Sequence, residues 1–148
     1  MTKTLTGGCQ CGRVRYTAAI ENDDAYLCHC RMCQRATGGF AAAFVNVPLG
    51  GLAWQHEPDW YQSSPIARRP FCSACGTPLG FAFLEGAKGI DITLGSFDDP
   101  SAFVPTAHSG AESMHEAWLD TSALPRQTSA ETQSVASRWR AAGMEIPE

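Results

Sequence analysis

Short runs that alternate apolar with polar residues, or stay apolar, are punctuated by turn residues from Leu5 to about Pro100. That rhythm is the signature of strands, not helices. Val14-Arg15-Tyr16-Thr17 alternates cleanly and predicts a half-buried strand. Leu5 leads into Gly7-Gly8, read as a turn. Phe40 to Val47 predicts a buried strand, ended by Pro48 and Gly50-Gly51. Trp60-Tyr61-Gln62 gives a weaker strand before Pro65. Leu79 to Leu84 and Ile90 to Phe97 predict two more, with Gly86 and Gly89 available to turn the chain between them. Asp98-Asp99-Pro100 reads as a turn that opens a helical turn.

The period changes near the C-terminus, after a polar stretch from Thr121 to Ser134. Thr128 and Glu131 form a T-x-x-E capping box, which satisfies unpaired N–H groups at a helix start. Val135, Trp139 and Ala142 then make one apolar stripe, and Gly143 supplies the left-handed stop. The pattern predicts a mainly β chain with one C-terminal helix that lays Trp139 on the β core. Residues 1–127 are expected to form one β domain, and residues 128–148 a helix and tail packed on it.

Composition narrows the function classes. A chain of 148 residues suits one domain. Its net charge of −4 excludes the basic face that a nucleic-acid binder needs. The longest apolar run is six residues, Phe40 to Val45, whereas a spanning helix needs about 20. The first eight residues have no apolar core of a signal peptide. The expected location is cytoplasmic. Disulfides are rare there, and seven cysteines cannot all pair within one chain.

Those cysteines come in three groups: Cys9-x-Cys11, Cys28-x-Cys30-x2-Cys33 and Cys72-x2-Cys75. Each spacing brings sulfurs within reach of one ion, and thiolate sets select zinc first and iron second. Gly12 and Gly76 allow the tight backbone that aims N–H groups at sulfur. Seven sulfurs make one closed four-ligand site and three remaining ligands, the number a catalytic zinc keeps. Spacing leaves the pairing open. Cys9 and Cys11 could join Cys72 and Cys75, or two of the local triple. Buried free thiols are the bland alternative. A redox reading of Cys72-x2-Cys75 requires a helix start, and Gly76-Thr77-Pro78 predicts a turn into a strand.

Three ordered motifs carry a resemblance. They are Gly7-Gly8-Cys9-Gln10-Cys11-Gly12-Arg13-Val14-Arg15-Tyr16, Cys28-His29-Cys30-Arg31-Met32-Cys33-Gln34-Arg35-Ala36-Thr37-Gly38 and Phe71-Cys72-Ser73-Ala74-Cys75-Gly76-Thr77-Pro78-Leu79. The chain from about Thr4 to Pro125 resembles the glutathione-dependent formaldehyde-activating enzyme family, which shares the centromere protein V domain. The resemblance implies a zinc-stapled β fold of the Mss4-like type. It implies structural zinc on Cys9, Cys11, Cys72 and Cys75, and catalytic zinc on Cys28, Cys30 and Cys33. The reaction it implies is carbon–sulfur lyase chemistry on the adduct of a thiol, such as glutathione, with formaldehyde or a related small carbonyl compound. The competing class is a non-catalytic zinc module of the same fold that binds a protein partner.

Around those motifs, Arg31 or Arg35 could fork a glutathione carboxylate. His29 lies between two cysteines and is read as packing or support. His108 is read as a general base or a polar loop residue. Phe71, Phe81, Phe83 and Phe97 are read as core, and Arg68-Arg69 as exposed charge beside Pro70.

Overall fold

The computed structural model describes residues 1–147. The chain divides into two compact units, Met1–His115 and Glu116–Glu148.

The first unit is built from strands, as the alternation predicts. β1 (Lys3–Gly8) and β2 (Arg15–Ile20) pair antiparallel along their whole length, from Lys3 opposite Ile20 to Gly8 opposite Arg15. Inward positions of β2 are Tyr16, Ala18 and Ile20, all buried. β3 (Tyr26–Cys28), helix α1 (Arg31–Thr37) and β4 (Ala42–Pro48) follow. Then come β5 (Leu52–His56), β6 (Asp59–Ser64), β7 (Ala67–Phe71), β8 (Gly80–Phe83), β9 (Gly89–Thr93) and β10 (Ala107–Ser109).

They form two sheets, β1-β2-β5 and β10-β3-β4-β9-β8-β7-β6. Pairing is antiparallel except between β10 and β3. The main core lies between the sheets: Val14, Tyr16, Ala18 and Ile20 meet Val45, Val47, Leu79, Ile92, Phe97 and Phe103. The Tyr16 ring stands edge-on to Phe97, with centroids 5.5 Å apart. A smaller apolar cluster of Cys33, Ala42 and Phe44 surrounds the second cysteine group.

Several local expectations are corrected. Gly7 and Gly8 belong to β1, and the turn falls one step later, where Gly12 N–H donates to the Cys9 carbonyl at 3.1 Å. The run from Ile90 leaves the sheet after Thr93 and winds through a 3-10 turn, Leu94–Ser96. Phe81 and Phe83 share a face as predicted, but Phe83 is exposed and Phe81 half-buried; both line a cavity instead of filling the main core. Helix α1 was not anticipated. Its seven residues carry no apolar stripe, and it is held by its ends: the Cys30 sulfur accepts from Cys33 N–H, and Gly38 N–H donates to the Gln34 carbonyl. Strands β3, β5, β7 and β10 also escaped prediction, the first and last being three residues each.

In the second unit, helix α2 (Gln133–Ala141) begins later than the capping box suggests. The box bonds exist: Thr128 N–H donates to Glu131 Oε2 at 2.8 Å, and Glu131 N–H to Thr128 Oγ1 at 3.3 Å. They close a separate turn, because Thr132 is extended and restarts the helix as its cap. The end is as expected. Gly143 is left-handed, and Met144 N–H reaches back to the Trp139 carbonyl at 3.1 Å. No residue of α2 is buried, and Trp139 is half-buried. No helix among the described residues is long and apolar enough to cross a membrane.

Candidate functional site

The seven sulfurs, all free, gather in two groups. Cys9, Cys11, Cys72 and Cys75 lie mutually within 4.8 Å, and so do Cys28, Cys30 and Cys33. The pairing that spacing left open is therefore set by the fold: the two distant pairs meet, and the triple stays local.

Two tight turns build the first group. Cys9 follows β1, and its sulfur accepts from Val14 N–H at 3.2 Å. Cys72 follows β7, and Gly76 N–H closes its turn onto the Cys72 carbonyl at 2.7 Å. Both turns end on a glycine at φ 79°, Gly12 and Gly76, a conformation that favours glycine. Neighbouring sulfurs are 3.5 Å (Cys9–Cys11) and 3.8 Å (Cys11–Cys72) apart. Zinc–sulfur bonds of about 2.3 Å in a tetrahedron require an edge of about 3.8 Å, so the geometry fits zinc. The charge pattern fits too. Crowded thiols cannot all ionise alone: hydrogen bonding by Thr77 brings Cys75 down to about 5, while Cys11 is pushed up to about 11. At Cys11 the Arg13 backbone N–H pulls the value down, but the Cys9 sulfur, burial and the other thiols outweigh it. A dication relieves that conflict.

The second group sits between β3 and the start of α1. Cys28 ends β3, Cys30 caps α1, and Cys33 lies one turn into it. Burial pushes the Cys33 thiol up to about 12, against the opposing pull of Arg69. Burial also raises Cys30, but N–H and S–H donors from Cys33 and Cys28 more than offset it, and its value is lowered. Three soft donors at this spacing fit a metal with one position left to the cavity. That cavity, about 300 Å³, is lined by the three cysteines together with Tyr26, Phe44, Phe81, Phe83, Arg69 and Asp91.

Two of these residues were missed from sequence. Arg69 is 4% exposed, whereas Arg68 beside it is exposed and stacks on Trp60, 4.2 Å from the ring centroid. The pair splits because β7 alternates: Ala67 and Arg69 face inward, Arg68 outward. A strand of period two would have separated them, but two arginines and Pro70 hid it. Arg69 Nη2 donates to Cys33 Sγ at 3.4 Å. Asp91 lies on β9 opposite Asn46 and accepts from its amide at 2.9 Å. Burial raises the Asp91 carboxyl above the usual value, while the Asn46 amide and the Tyr26 hydroxyl oppose that rise. Its signal was faint, one carboxylate between Ile90 and Ile92.

The other candidates fall as follows. Arg35 is exposed on α1 and does not line the cavity. Arg31 is exposed and donates to the Gln34 amide oxygen. Gln34 is buried and holds the Phe40 and Ser113 carbonyls, each at 3.1 Å. His29 is fully buried, outside both sulfur groups, with its Nε2 2.8 Å from Nδ1 of the exposed His108. Burial lowers its pKa, which favours the neutral ring.

Comparisons with known proteins agree with this architecture. An uncharacterized lyase of Schizosaccharomyces pombe is 32% identical over 80 residues, covering 54% of this chain and 58% of that relative. The chain thus matches somewhat over half the length of that relative. A crystal structure of a Rhodobacter sphaeroides protein has a similar fold, with a TM-score of 0.59 at 21% identity over 71% of this chain and all of that one. Residues 4–113, which hold both sulfur groups and the cavity, match the family described as glutathione-dependent formaldehyde-activating enzyme, and the chain belongs to that family.

Proposed function

We propose that this protein is a zinc-dependent carbon–sulfur lyase. It would act on the adduct of a thiol, such as glutathione, with formaldehyde or a related small carbonyl compound. The observation that carries this reading is the contrast between the two sulfur groups. Four sulfurs lie close enough to supply all the ligands of a tetrahedral ion, whereas three open onto a largely apolar cavity. Cys9, Cys11, Cys72 and Cys75 would hold a structural zinc, and Cys28, Cys30 and Cys33 a catalytic one. A zinc held by Cys28, Cys30 and Cys33 would supply Lewis acidity and favour the ionised form of a thiol.

The chain's own residues supply the rest. Tyr26, Phe44, Phe81 and Phe83 exclude water from the reacting groups. Arg69 orients Cys33 through its hydrogen bond to sulfur. Asp91 is the cavity's carboxyl group, and its raised affinity for a proton suits it to relay one from the thiol to the carbonyl oxygen on addition, and from the adduct hydroxyl back to sulfur on cleavage. Arg35 stands outside the cavity lining and takes no part in this step. A cytoplasmic location is part of the same proposal.

Purified, zinc-loaded protein should accelerate adduct formation or breakdown with glutathione and at least one of several small aldehydes. A Cys30→Ser variant should lose that acceleration. Rates for both proteins equal to the uncatalysed rate with every aldehyde would reassign the chain to a non-catalytic zinc module.

A further inference from the structure

Arg69 is the single basic side chain among the residues lining the three-cysteine cavity. A guanidinium has five N–H donors and stays charged. In this one, Nη2 donates to Cys33 Sγ, Nε is buried with no partner, and Cζ lies over the Phe81 ring, 5.0 Å from its centroid. The three ion pairs among the described residues, Lys3–Asp23, Arg13–Asp59 and Arg15–Asp98, lie elsewhere. Asp91, the carboxyl group of the same cavity, bonds Asn46 instead. The Cys33 sulfur is a partial counter-charge at best, since any dication on the triple shares it. A buried cation with no carboxylate partner is costly unless an anion joins it. The cavity beside it, about 300 Å³, has the room for one. Formaldehyde alone, with two heavy atoms and no charge, uses neither the cation nor most of that volume.

We infer that Arg69 is the specificity-determining residue of this cavity and binds a carboxylate carried by the substrate, on either its thiol or its carbonyl part. The inference rests on the proposed function only in placing substrate in this cavity. The fork geometry of the guanidinium suits a planar carboxylate, and the Phe81 ring packs against its Cζ. Arg31 and Arg35, exposed and outside the cavity lining, do not compete for that task.

The test is binding, which needs no turnover. Zinc-loaded protein is titrated calorimetrically with two matched pairs of probes: 3-mercaptopropionate against 2-mercaptoethanol, and pyruvate against acetone. Wild type is expected to favour the carboxylate probe at least tenfold in one pair, and the pair that responds identifies which part of the substrate brings the carboxylate. Arg69→Met should abolish the preference, and Arg69→Lys should keep a fraction of it. Zinc content and circular dichroism of each variant show whether both sites remain loaded and folded. Equal affinities within both pairs for wild type would overturn the inference. So would a preference that survives in the loaded methionine variant or stays undiminished in the lysine variant. Loss of the second zinc from both variants would also overturn it, since Arg69 would then build the site and not select its ligand. An Arg69-dependent preference without any lyase turnover would sink the lyase reading alone.

Discussion

Cys11 and Cys72 are 61 positions apart in sequence, yet their sulfurs lie 3.8 Å apart. The contact ties the turn after β1 to the turn after β7, so the first sulfur group is a staple across the fold. Metal binding to such a closed set contributes folding free energy outright, on the order of 10 kcal/mol in small zinc peptides. Cys72→Ala should therefore unfold or aggregate the protein. Cys33→Ala, in the local triple, should leave it folded with one zinc fewer. Zinc analysis and thermal melts of the two variants check this. Equal melting temperatures would abolish the distinction between a structural and an open site.

Gly7 lies against the hydroxyl of Tyr16, which is 2.8 Å from Ser96 Oγ in the buried core. A Cβ at position 7 would overlap both the Tyr16 hydroxyl and the Ser96 carbonyl. Gly7→Ala should destabilise by about 1–3 kcal/mol, the usual range for overpacking. Tyr16→Phe alone should cost about 1 kcal/mol, the worth of one hydrogen bond. In the double variant the overlap is partly relieved, and the two losses should sum to less than additive. Urea denaturation of the three variants measures that coupling.

Arg15 holds Asp98 through two hydrogen bonds, 2.8 and 2.5 Å, and Thr6 Oγ1 donates a third at 2.6 Å. Arg15 first, then Thr6, brings the Asp98 carboxyl down to about 2 from 3.8. A depressed carboxyl pKa stabilises the fold above the unfolded value, and that stability is lost as pH falls from about 3.8 through about 2. Both side chains are more than a third exposed, so solvent screening keeps the effect under about 1 kcal/mol. The Asp98 carboxyl carbon should show an unchanged chemical shift between pH 7 and pH 4. Asp98→Asn should lose under about 1 kcal/mol at neutral pH.

Asp91 reverses that sign. Burial raises its pKa, so its ionised form weakens the fold at neutral pH, and that cost fades as pH falls through the raised value. Asp91→Asn keeps an oxygen for the Asn46 amide and removes the buried charge. Its stability should equal or exceed wild type at pH 7. If Asp91 carries the proton, turnover should fall about 10²-fold or more, and the acid limb of the wild-type pH profile should vanish. Wild-type turnover in the asparagine variant would remove Asp91 from the mechanism.

The division between sequence and fold is clear in β7. Cys72 and its partners were visible because ligand spacing is local, and three motifs in order are hard to mistake. The half-buried strand around Tyr16 was visible because period two survives in four consecutive residues. Arg69 was not visible, because adjacent arginines beside a proline read as solvated charge until strand pairing assigns them opposite faces. Helix α1 was hidden for a related reason: it is held by the Cys30 cap and by Gly38, and not by an apolar stripe.

Sequence alone determined the donor chemistry: seven thiols in three clusters, a mainly β chain and a C-terminal helix. It also carried the family. Residue spacing left open which clusters join; the family resemblance implied the answer, and tertiary structure supplies the physical reason, since Cys9 and Cys72 meet only when β1 and β7 are placed by their sheets. Tertiary structure decided that the three-cysteine group opens on a cavity holding one buried cation and one carboxyl group. Spacing constrains atoms a few residues apart, whereas a cavity wall is assembled from strands whose neighbours are set by long-range pairing and burial.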